Sequence, residues 1–310
     1  MSSTPVLLRG GTVYSPADPF ATAMVVVDGR VGWVGSEGAA DAAAGPGVAV
    51  EHLDGALVTP AFVDAHVHLT DTGLALTGLD LRGARSATDI LDALQAAARQ
   101  RPGLPLLGHG WDDETWTDRT LPTRSEIDRA AGGAPAYLAR VDVHSALVSS
   151  ALAGRVPGVI GVDGYDPVGS VSRAANHRLR RASRDTITPS QRRTLQGEAL
   201  AVAARVGVGQ VNEMGAPHVA GWDDLELLLR WTATDDSVGD VVGYWGEPAG
   251  VEAASRAGAR GCAGDLCIDG SLGSRTAALR DPYADDPGTA GASYIDAEEA
   301  TEHVVACTLA

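Results

Sequence analysis

The segment Pro60-Ala-Phe-Val-Asp-Ala-His-Val-His68 ends in two histidines separated by a single valine. In an extended strand alternate side chains point to the same face, so Asp64, His66 and His68 share one face. Two imidazoles held side by side by a strand suit a divalent ion such as zinc, which binds imidazole nitrogen well. Asp64 stands where it can accept a hydrogen bond from the second ring N–H of His66. These nine residues therefore predict a metal site at the end of a strand.

A strand that merely ends in two surface histidines is the alternative, because H-x-H is a short motif with a real false-positive rate. The opposite face of the strand carries Val63, Ala65 and Val67 and is apolar, as expected of a buried strand. A polar, glycine-containing sequence follows at residues 69–73. Both features favour the metal site.

Composition and charge argue against several classes of partner. The 310 residues, 45% of them hydrophobic, suffice for one large or two ordinary domains. No apolar run approaches the length of a membrane span, and residues 1–9 lack the features of a signal peptide. The formal net charge of −16 argues against nucleic acid or an anionic membrane surface as a partner. We expect a small-molecule substrate, and the sequence leaves open whether the protein forms an oligomer.

The cysteine and lysine counts restrict the chemistry further. The three cysteines form no C-x-x-C pair, so we expect neither a disulfide framework nor a zinc finger, and a cytoplasmic location fits. All 24 basic residues are arginine. No Schiff-base lysine, P-loop lysine or carboxylated lysine can therefore come from this chain.

Turn and strand signals divide the chain at about residue 59. Residues 1–59 alternate short β-prone runs with turns, including Asp28-Gly29, and predict a small β domain. Residues 60–310 form the second predicted domain, in which residues 70–189 have an irregular pattern and are interpreted as a long insertion. Within the insertion, Ser86-Ala-Thr-Asp89 predicts the start of a helix that continues to about residue 101.

After the insertion, strands and helices alternate, which is typical of parallel βαβ units. Thr188-Pro-Ser-Gln191 predicts a capped helix start. Counted with the histidine strand at 61–68, the predicted strands are 208–213, 239–245 and 264–269, and the predicted helices include 222–231, 251–259 and 296–310. An eight-stranded α/β barrel needs about twice as many strands. The predicted fold class is thus α/β, an incomplete (β/α)8 TIM-type barrel with about its first four strands.

The order of these features resembles the amidohydrolase superfamily. The resemblance rests on the β domain, the histidine strand with the insertion after it, and the motif Asp269-Gly-Ser-Leu-Gly-Ser-Arg-Thr-Ala277. Within the superfamily, the chain is similar to long-insert metal-dependent hydrolases of the amidohydrolase 3 type, related to N-substituted formamide deformylase. Further similar pieces, spread over nearly the whole chain, are residues 108–112, 142–144, 149–152 and 283–288.

The resemblance implies a barrel that holds one or two divalent metal ions, with zinc expected, at the carboxyl ends of its strands. His66 and His68 match the metal ligands of the first strand. The implied activity is hydrolysis of a C–N, amide-like bond of a small molecule by metal-activated water. The implied general base, an aspartate on the last strand, is expected beyond residue 310, so the chain is interpreted as C-terminally truncated.

Asp265 departs from the family pattern, because many relatives carry a lysine four residues before the Asp-Gly pair. Asp265 either binds metal through its carboxylate or faces away from the site. Glu213, at the end of a predicted strand, either points to the active face or is an ordinary loop carboxylate. Asp269 either lies at the site or caps the loop that follows it.

The remaining candidates carry weaker signals. Asp112 and His144 lie in the insertion and either line a pocket or serve in packing and hydrogen bonding. Arg275 either pairs with a carboxylate of the substrate or pins its loop, and pinning is the expected role. His109 and Trp111, also in the insertion, have the same two alternatives as Asp112 and His144. His52, His177, His218 and His303 are expected to be structural or at the surface, and Cys262 and Cys267 are expected to be small residues of the hydrophobic core.

Two other functions remain open from the sequence. One is a truncated, non-catalytic remnant or binding partner, suggested by the missing half of the barrel and its exposed strand edges. The other is a metal-dependent deaminase or isomerase of the same superfamily, whose members share metal ligands and differ in pocket shape.

Overall fold

The computed structural model describes residues 4–235 and 239–310. The chain divides into two units, Met1–Phe62 and Val63–Ala310. Within the described ranges, no helix has both the length and the apolar character needed to cross a membrane.

The first unit consists mainly of short strands. They are β1 (Val6–Arg9), β2 (Thr12–Val13), β3 (Ala23–Val27), β4 (Arg30–Gly35), β5 (Ala49–His52) and β6 (Leu57–Val58), with one helix, α1 (Glu37–Ala44). The main sheet has the order β4-β3-β1-β5, and β2 pairs with β6. At the predicted turn between β3 and β4, Asp28 and Gly29 have φ angles of 48° and 73°, as a tight hairpin turn requires. Leu7, Val25 and Ala40 lie in the core of this unit.

The second unit alternates strands and helices over most of its length. Its strands are β7 (Phe62–Val67), β8 (Leu79–Asp80), β9 (Leu106–Trp111), β10 (Ala136–Arg140), β11 (Ser145–Val148), β12 (Ser170–Ser172), β13 (Val208–Gly215) and β14 (Asp240–Trp245). Its helices are α2 (Leu69–Thr77), α3 (Ala87–Gln100), α4 (Arg124–Ala130), α5 (Ser150–Ala153), α6 (Arg173–Arg184), α7 (Pro189–Arg205), α8 (Trp222–Thr232), α9 (Val251–Ala257) and α10 (Ala297–Leu309). Short 3-10 helices occupy Asp113–Thr115 and Val159–Gly161.

The two predicted helix starts are confirmed in atomic detail. The Ser86 side chain accepts a hydrogen bond from the Asp89 N–H at the start of α3. At the start of α7, Thr188 and Gln191 form a reciprocal capping box with proline in the first turn.

The predicted insertion, residues 70–189, contains a sheet of its own with the order β12-β11-β10-β9-β8. Strands β8, β9 and β10 are parallel, whereas β10, β11 and β12 are antiparallel. Helices α3 and α4 pack on this sheet through Ile90, Leu94 and Ile127. Helices α5 and α6 contribute Leu152 and Leu179 to a second buried cluster. Every residue of β10 is buried. A strand covered on both faces lacks polar alternation, which explains why this region looked irregular in the sequence.

A three-stranded sheet of order β14-β13-β7 carries the histidine strand. Strands β13 and β14 are parallel and are connected through α8, as the sequence predicted. Leu69, Leu200, Val211 and Leu228 form a buried cluster of α2, α7, β13 and α8 beside this sheet. The sheet and its helices therefore hold the end of β7 in a packed setting.

The prediction of a fourth strand at residues 264–269 is wrong, because the structure has no strand there. Gly261 forms a single parallel bridge with Tyr244 of β14, and the chain then leaves the strand ladder. The Ile268 carbonyl accepts a hydrogen bond of 2.7 Å from the Tyr294 N–H. The alternating sequence predicted a strand, but the backbone of this segment bonds to a later loop.

Candidate metal centre

The two histidines of β7 project toward one carboxylate. His66 lies within β7, and His68 is the N-cap residue of α2. Their rings are 5.2 Å apart between centroids and nearly perpendicular, at 86°. His66 Nε2 lies 3.2 Å from Asp265 Oδ1, and His68 Nε2 lies 3.0 Å from Asp265 Oδ2. The ligand atoms of the three side chains all lie within 4.8 Å of one another.

Asp265 thus faces the histidines, one of the two positions that the sequence allowed for it. Its backbone packs closely against Gly246, where an added Cβ would lie 2.6 Å from the Asp265 carbonyl carbon. Burial acts to raise the pKa of the Asp265 carboxyl, but His68 and His66 outweigh it and the pKa is lowered. The carboxylate is therefore held in the ionised form that a metal ligand needs.

The donor set fits a divalent metal ion. Two imidazole nitrogens and one carboxylate oxygen are ligands that zinc and similar ions accept, and three protein ligands leave a coordination position open. Tetrahedral zinc with bonds of about 2.0–2.1 Å places its ligand atoms roughly 3.3 Å apart. The Nε2 to carboxylate distances of 3.2 and 3.0 Å are close to that value. His66, His68 and Asp265 therefore present a set of ligand atoms that could hold such an ion.

Asp64 takes a different role from the predicted one. Its carboxylate accepts a hydrogen bond of 3.1 Å from the backbone N–H of His66, so it bonds the main chain of the strand instead of the imidazole ring. The Nδ1 atom of His68 is buried and has no hydrogen-bond partner among the described residues. The contact with Asp265 is accordingly the polar interaction that orients the His68 ring.

Glu213, at the carboxyl half of β13, holds the junction between β7 and α2. Its side chain is buried, and Oε2 accepts a hydrogen bond of 2.7 Å from the N–H of Leu69, the residue after His68. Burial raises the pKa of Glu213 well above its usual value. Glu213 acts on the site through the backbone next to His68.

A second anchor of the same junction was missed in the sequence. Asp71, in the first turn of α2, forms ion pairs with Arg180 and Arg184 of α6. Burial acts to raise the pKa of Asp71, but the two guanidinium groups outweigh it and lower the pKa. More than a hundred residues separate these partners, so no local pattern indicates the pairing.

His218, which was expected to be structural or at the surface, lies close to Asp265. It follows β13 in the loop before α8, and its ligand atom lies within 4.8 Å of those of Asp265 and Cys267. Its ring packs on His177 with centroids 4.7 Å apart. Burial, assisted by His177, lowers the pKa of His218 to about 3, so the ring is neutral. The available sequence signal was its position just after the carboxyl end of a parallel strand.

The comparisons with known proteins decide the family. The sequence model of the amidohydrolase family matches residues 49–309. This chain belongs to the amidohydrolase family. The prediction drawn from the histidine strand and the 269–277 motif is confirmed.

Named relatives of this amidohydrolase chain cover it to different extents. LONG AFTER FAR-RED 3 of Arabidopsis thaliana is 28% identical over an alignment 347 residues long that covers 97% of this chain and 56% of the plant protein. N-substituted formamide deformylase of Arthrobacter pascens is 31% identical over 134 residues, which cover 42% of this chain and 25% of that protein. The chain therefore spans little more than half the length of the plant relative.

A solved structure shows the same fold. The crystal structure of an uncharacterized metal-dependent hydrolase from Pyrococcus horikoshii OT3 matches with a TM-score of 0.73 at 24% identity. The match covers 99% of this chain and 63% of that chain. The amidohydrolase chain has the α/β fold of this neighbour, in agreement with the α/β part of the predicted fold class.

The family motif at residues 269–277 is a loop fastened to the insertion. Asp142 Oδ2 accepts hydrogen bonds of 2.5 Å from Ser271 Oγ and 2.7 Å from Ser274 Oγ. Arg275 donates to Glu114 and Asp285, which agrees with its expected role in pinning the loop. These bonds fix the chain just after Asp265.

The remaining candidates serve this framework. Asp269 accepts a hydrogen bond of 3.0 Å from the Ala278 N–H and so caps the loop. Asp112 bonds Arg140 at 2.9 Å within the insertion. The His144 N–H donates to Asp142, and burial lowers the pKa of the His144 imidazole. In the structure these three residues contact the loop or the insertion.

Proposed function

We propose that this chain carries the metal centre of a hydrolase that acts on a C–N, amide-like bond of a small molecule. His66, His68 and Asp265 are the proposed ligands. The observation that carries the proposal is the Asp265 carboxylate, which lies within 3.2 Å of both Nε2 atoms. Zinc is the proposed ion, because the donor set is imidazole nitrogen and carboxylate oxygen.

A bound divalent ion would polarise the carbonyl of the substrate and lower the pKa of a coordinated water. The protein residues supply the arrangement. Strand β7 sets the separation of the two imidazoles, and Asp265 supplies negative charge against them. Glu213 fixes the turn after His68 through the Leu69 N–H. The general base that the family resemblance implies is not assigned to a residue of this chain.

The proposed bond type rests on one relative, because the Arthrobacter protein is named as a deformylase of N-substituted formamides. A small-molecule substrate in the cytoplasm is further proposed from the net charge of −16 and the absence of a C-x-x-C pair. We also infer that residues 60–310 supply part of a barrel, in which β7, β13 and β14 are successive barrel strands.

Metal analysis tests the ligand assignment. The purified chain is expected to contain zinc, and the double variant His66→Ala/His68→Ala is expected to lose one equivalent. His52→Ala is the matched control, because His52 is exposed on β5 in the first unit. Equal metal content in all three proteins would overturn the assignment.

Formate release tests the chemistry. An N-substituted formamide is incubated with the zinc-loaded chain and with the chain after chelation. Formate released only by the loaded protein supports amide hydrolysis. Formate released equally by the zinc-loaded and the chelated chain would contradict metal-dependent hydrolysis of this bond while leaving the metal site in place.

A further inference from the structure

A cavity of about 350 Å³ lies between helix α2 and the sheet of the insertion. Arg82, Gly110 and Val141 line it at the carboxyl ends of the parallel strands β8, β9 and β10. In open α/β sheets, ligands bind in the crevice outside the carboxyl ends of such strands. Small-molecule sites have volumes of roughly 300–1,000 Å³. The cavity therefore has the position and the size of a ligand site.

The lining of the cavity combines an apolar wall with a few polar groups. Leu74 and Ala75 of α2 and Leu107 of β9 supply the apolar wall. Arg184 of α6 and His109 of β9 supply polar side chains. Sites for small molecules are typically built in this way, because apolar residues hold the body of a ligand and a few polar groups fix its orientation.

Arg184 has one guanidinium nitrogen that the protein does not use. The side chain is buried, its Nε donates to Asp71 Oδ1 at 2.7 Å, and its Nη1 donates to Ser183 Oγ at 2.9 Å. Nη2 has no hydrogen-bond acceptor among the described residues. Buried polar groups are ordinarily hydrogen-bonded. An acceptor group in the cavity would supply the bond that Arg184 Nη2 lacks.

The buried charges beside the cavity are unbalanced. Arg180 and Arg184 share the single carboxylate of Asp71. Asp265 also attracts Arg180, but its carboxylate faces the two histidines of β7. Buried charges are ordinarily paired. One positive charge of the Arg180–Arg184 pair therefore remains for an anion.

The other two arginines of the lining have their anions within the protein. Arg140 lies within 3.2 Å of three aspartate carboxylates, which more than balance its charge. Arg82 donates to both carboxylate oxygens of Asp80. His109 has a buried Nε2 atom without a hydrogen-bond partner in the part of the chain that the structure describes. Arg184 and His109 are therefore the polar side chains of the lining that a ligand would engage.

We propose that this cavity binds a small molecule that has a carboxylate group and an apolar body. The carboxylate accepts a hydrogen bond from Arg184 Nη2 and balances the excess charge of the Arg180–Arg184 pair. The apolar body lies against Leu74, Ala75 and Leu107. Guanidinium groups form strong, charge-assisted hydrogen bonds with carboxylates, which favours this class of ligand. The site needs no metal ion and so goes beyond the proposed function.

Benzoate is the probe for this cavity, and benzamide is a neutral counterpart of similar shape. Each is titrated by calorimetry into the chelator-treated full chain. Benzoate is expected to bind one equivalent, and benzamide is expected to bind at least about tenfold more weakly, because hydrogen bonds between charged groups are the stronger ones. Equal affinity for the two compounds, or no binding of benzoate, would overturn the proposal.

Two variants locate the bound benzoate. Ala75→Phe fills the cavity without removing an ion pair and is expected to abolish binding. Arg184→Lys keeps the charge but loses the guanidinium fork, and it is expected to weaken binding by at least about tenfold. Arg178→Lys, at an exposed position on the same helix, is the matched control. Circular dichroism shows that each variant is folded, and unchanged affinity in folded Ala75→Phe would overturn the cavity as the site.

The double variant His66→Ala/His68→Ala separates this proposal from the proposed function. A carboxylate probe also coordinates metal ions, so benzoate bound at the histidines has to be distinguished from benzoate in the cavity. If the cavity is the site, the double variant binds benzoate with unchanged affinity, whether or not the wild-type chain binds zinc. Loss of benzoate binding in this variant would place the carboxylate at the histidines and overturn the cavity site.

Discussion

The two halves of the candidate metal centre are built in opposite ways. His66 and His68 belong to a regular strand and to the helix that follows it, so their spacing follows from local backbone geometry. Asp265 belongs to an irregular segment whose position depends on Gly246 and on the loop at 269–277. The sequence therefore predicts only part of such a site. Local backbone geometry positions the two histidines, whereas tertiary contacts position Asp265.

The largest loss of stability is expected from a substitution of Asp71, which anchors the junction between β7 and α2. Asp71→Asn leaves the buried Arg180 and Arg184 without their carboxylate, and removal of one partner from such a pair costs about 3 kcal/mol of unfolding free energy or more. Urea unfolding at pH 7 measures it. Asp92→Asn, at an exposed position on α3, is the control and should change stability by less than about 0.5 kcal/mol.

The same pair gives a pH dependence with a defined sign. The pKa of Asp71 is lowered in the folded protein, so its contribution to stability is present above the unfolded value near about 4 and is lost as the pH falls below it. The stability difference between wild type and Asp71→Asn should therefore begin to shrink as the pH falls to about 4 and continue to shrink at lower pH, because the folded-state pKa lies well below that value. A difference that grows toward acid would contradict the assigned ion pairs.

The next largest effect is expected on zinc affinity and tests Asp265, which lies in the irregular segment. Asp265→Ala removes the carboxylate that both Nε2 atoms face and is expected to weaken zinc binding by about a hundredfold. Competition with a chromogenic chelator measures the affinity. Asp269→Asn, four residues along the same segment, is the control, since Asp269 bonds the Ala278 N–H. Equal weakening by both substitutions would mean that the segment, and not the Asp265 carboxylate, matters.

A smaller effect is expected at Glu213. Glu213→Ala leaves the buried N–H of Leu69 without its acceptor, which costs about 1–3 kcal/mol. Glu213→Gln retains an acceptor oxygen and should recover most of that loss, because burial already favours the uncharged form of this carboxyl. Chemical unfolding of the two variants makes the comparison, and equal destabilisation would exclude a hydrogen-bonding role.

The smallest effect concerns the fastening of the motif loop. Asp142→Asn weakens the hydrogen bonds from Ser271 and Ser274, each worth about 1 kcal/mol. Amide hydrogen exchange should increase over residues 269–277 and stay unchanged in β7. Faster exchange in β7 as well would show that the two halves of the site are not held independently.

Local sequence patterns correctly predicted the helix starts and the hairpin turn discussed here. The capping residues Ser86 and Thr188 placed the starts of α3 and α7, and the Asp28-Gly29 turn placed a hairpin. The histidine spacing predicted the pair of β7 side chains that we propose as metal ligands. Each of these features depends on residues only a few positions apart, so the sequence contains the information that is needed.

The misses share a different cause. Residues 264–269 alternate like a strand, yet the Ile268 carbonyl bonds Tyr294, and no local pattern indicates that partner. His218 carries no motif and reaches Asp265 only because β13 ends beside it. The sheet of the insertion was overlooked because its central strand is buried on both faces and lacks alternation.

Anomalous diffraction at the zinc absorption edge, from crystals of the zinc-loaded chain, tests the central claim most directly. The account predicts a peak within bonding distance, about 2.0–2.2 Å, of His66 Nε2, His68 Nε2 and an Asp265 carboxylate oxygen. A fully loaded crystal with no peak at these three atoms, or with the two imidazoles turned away from Asp265, would contradict it.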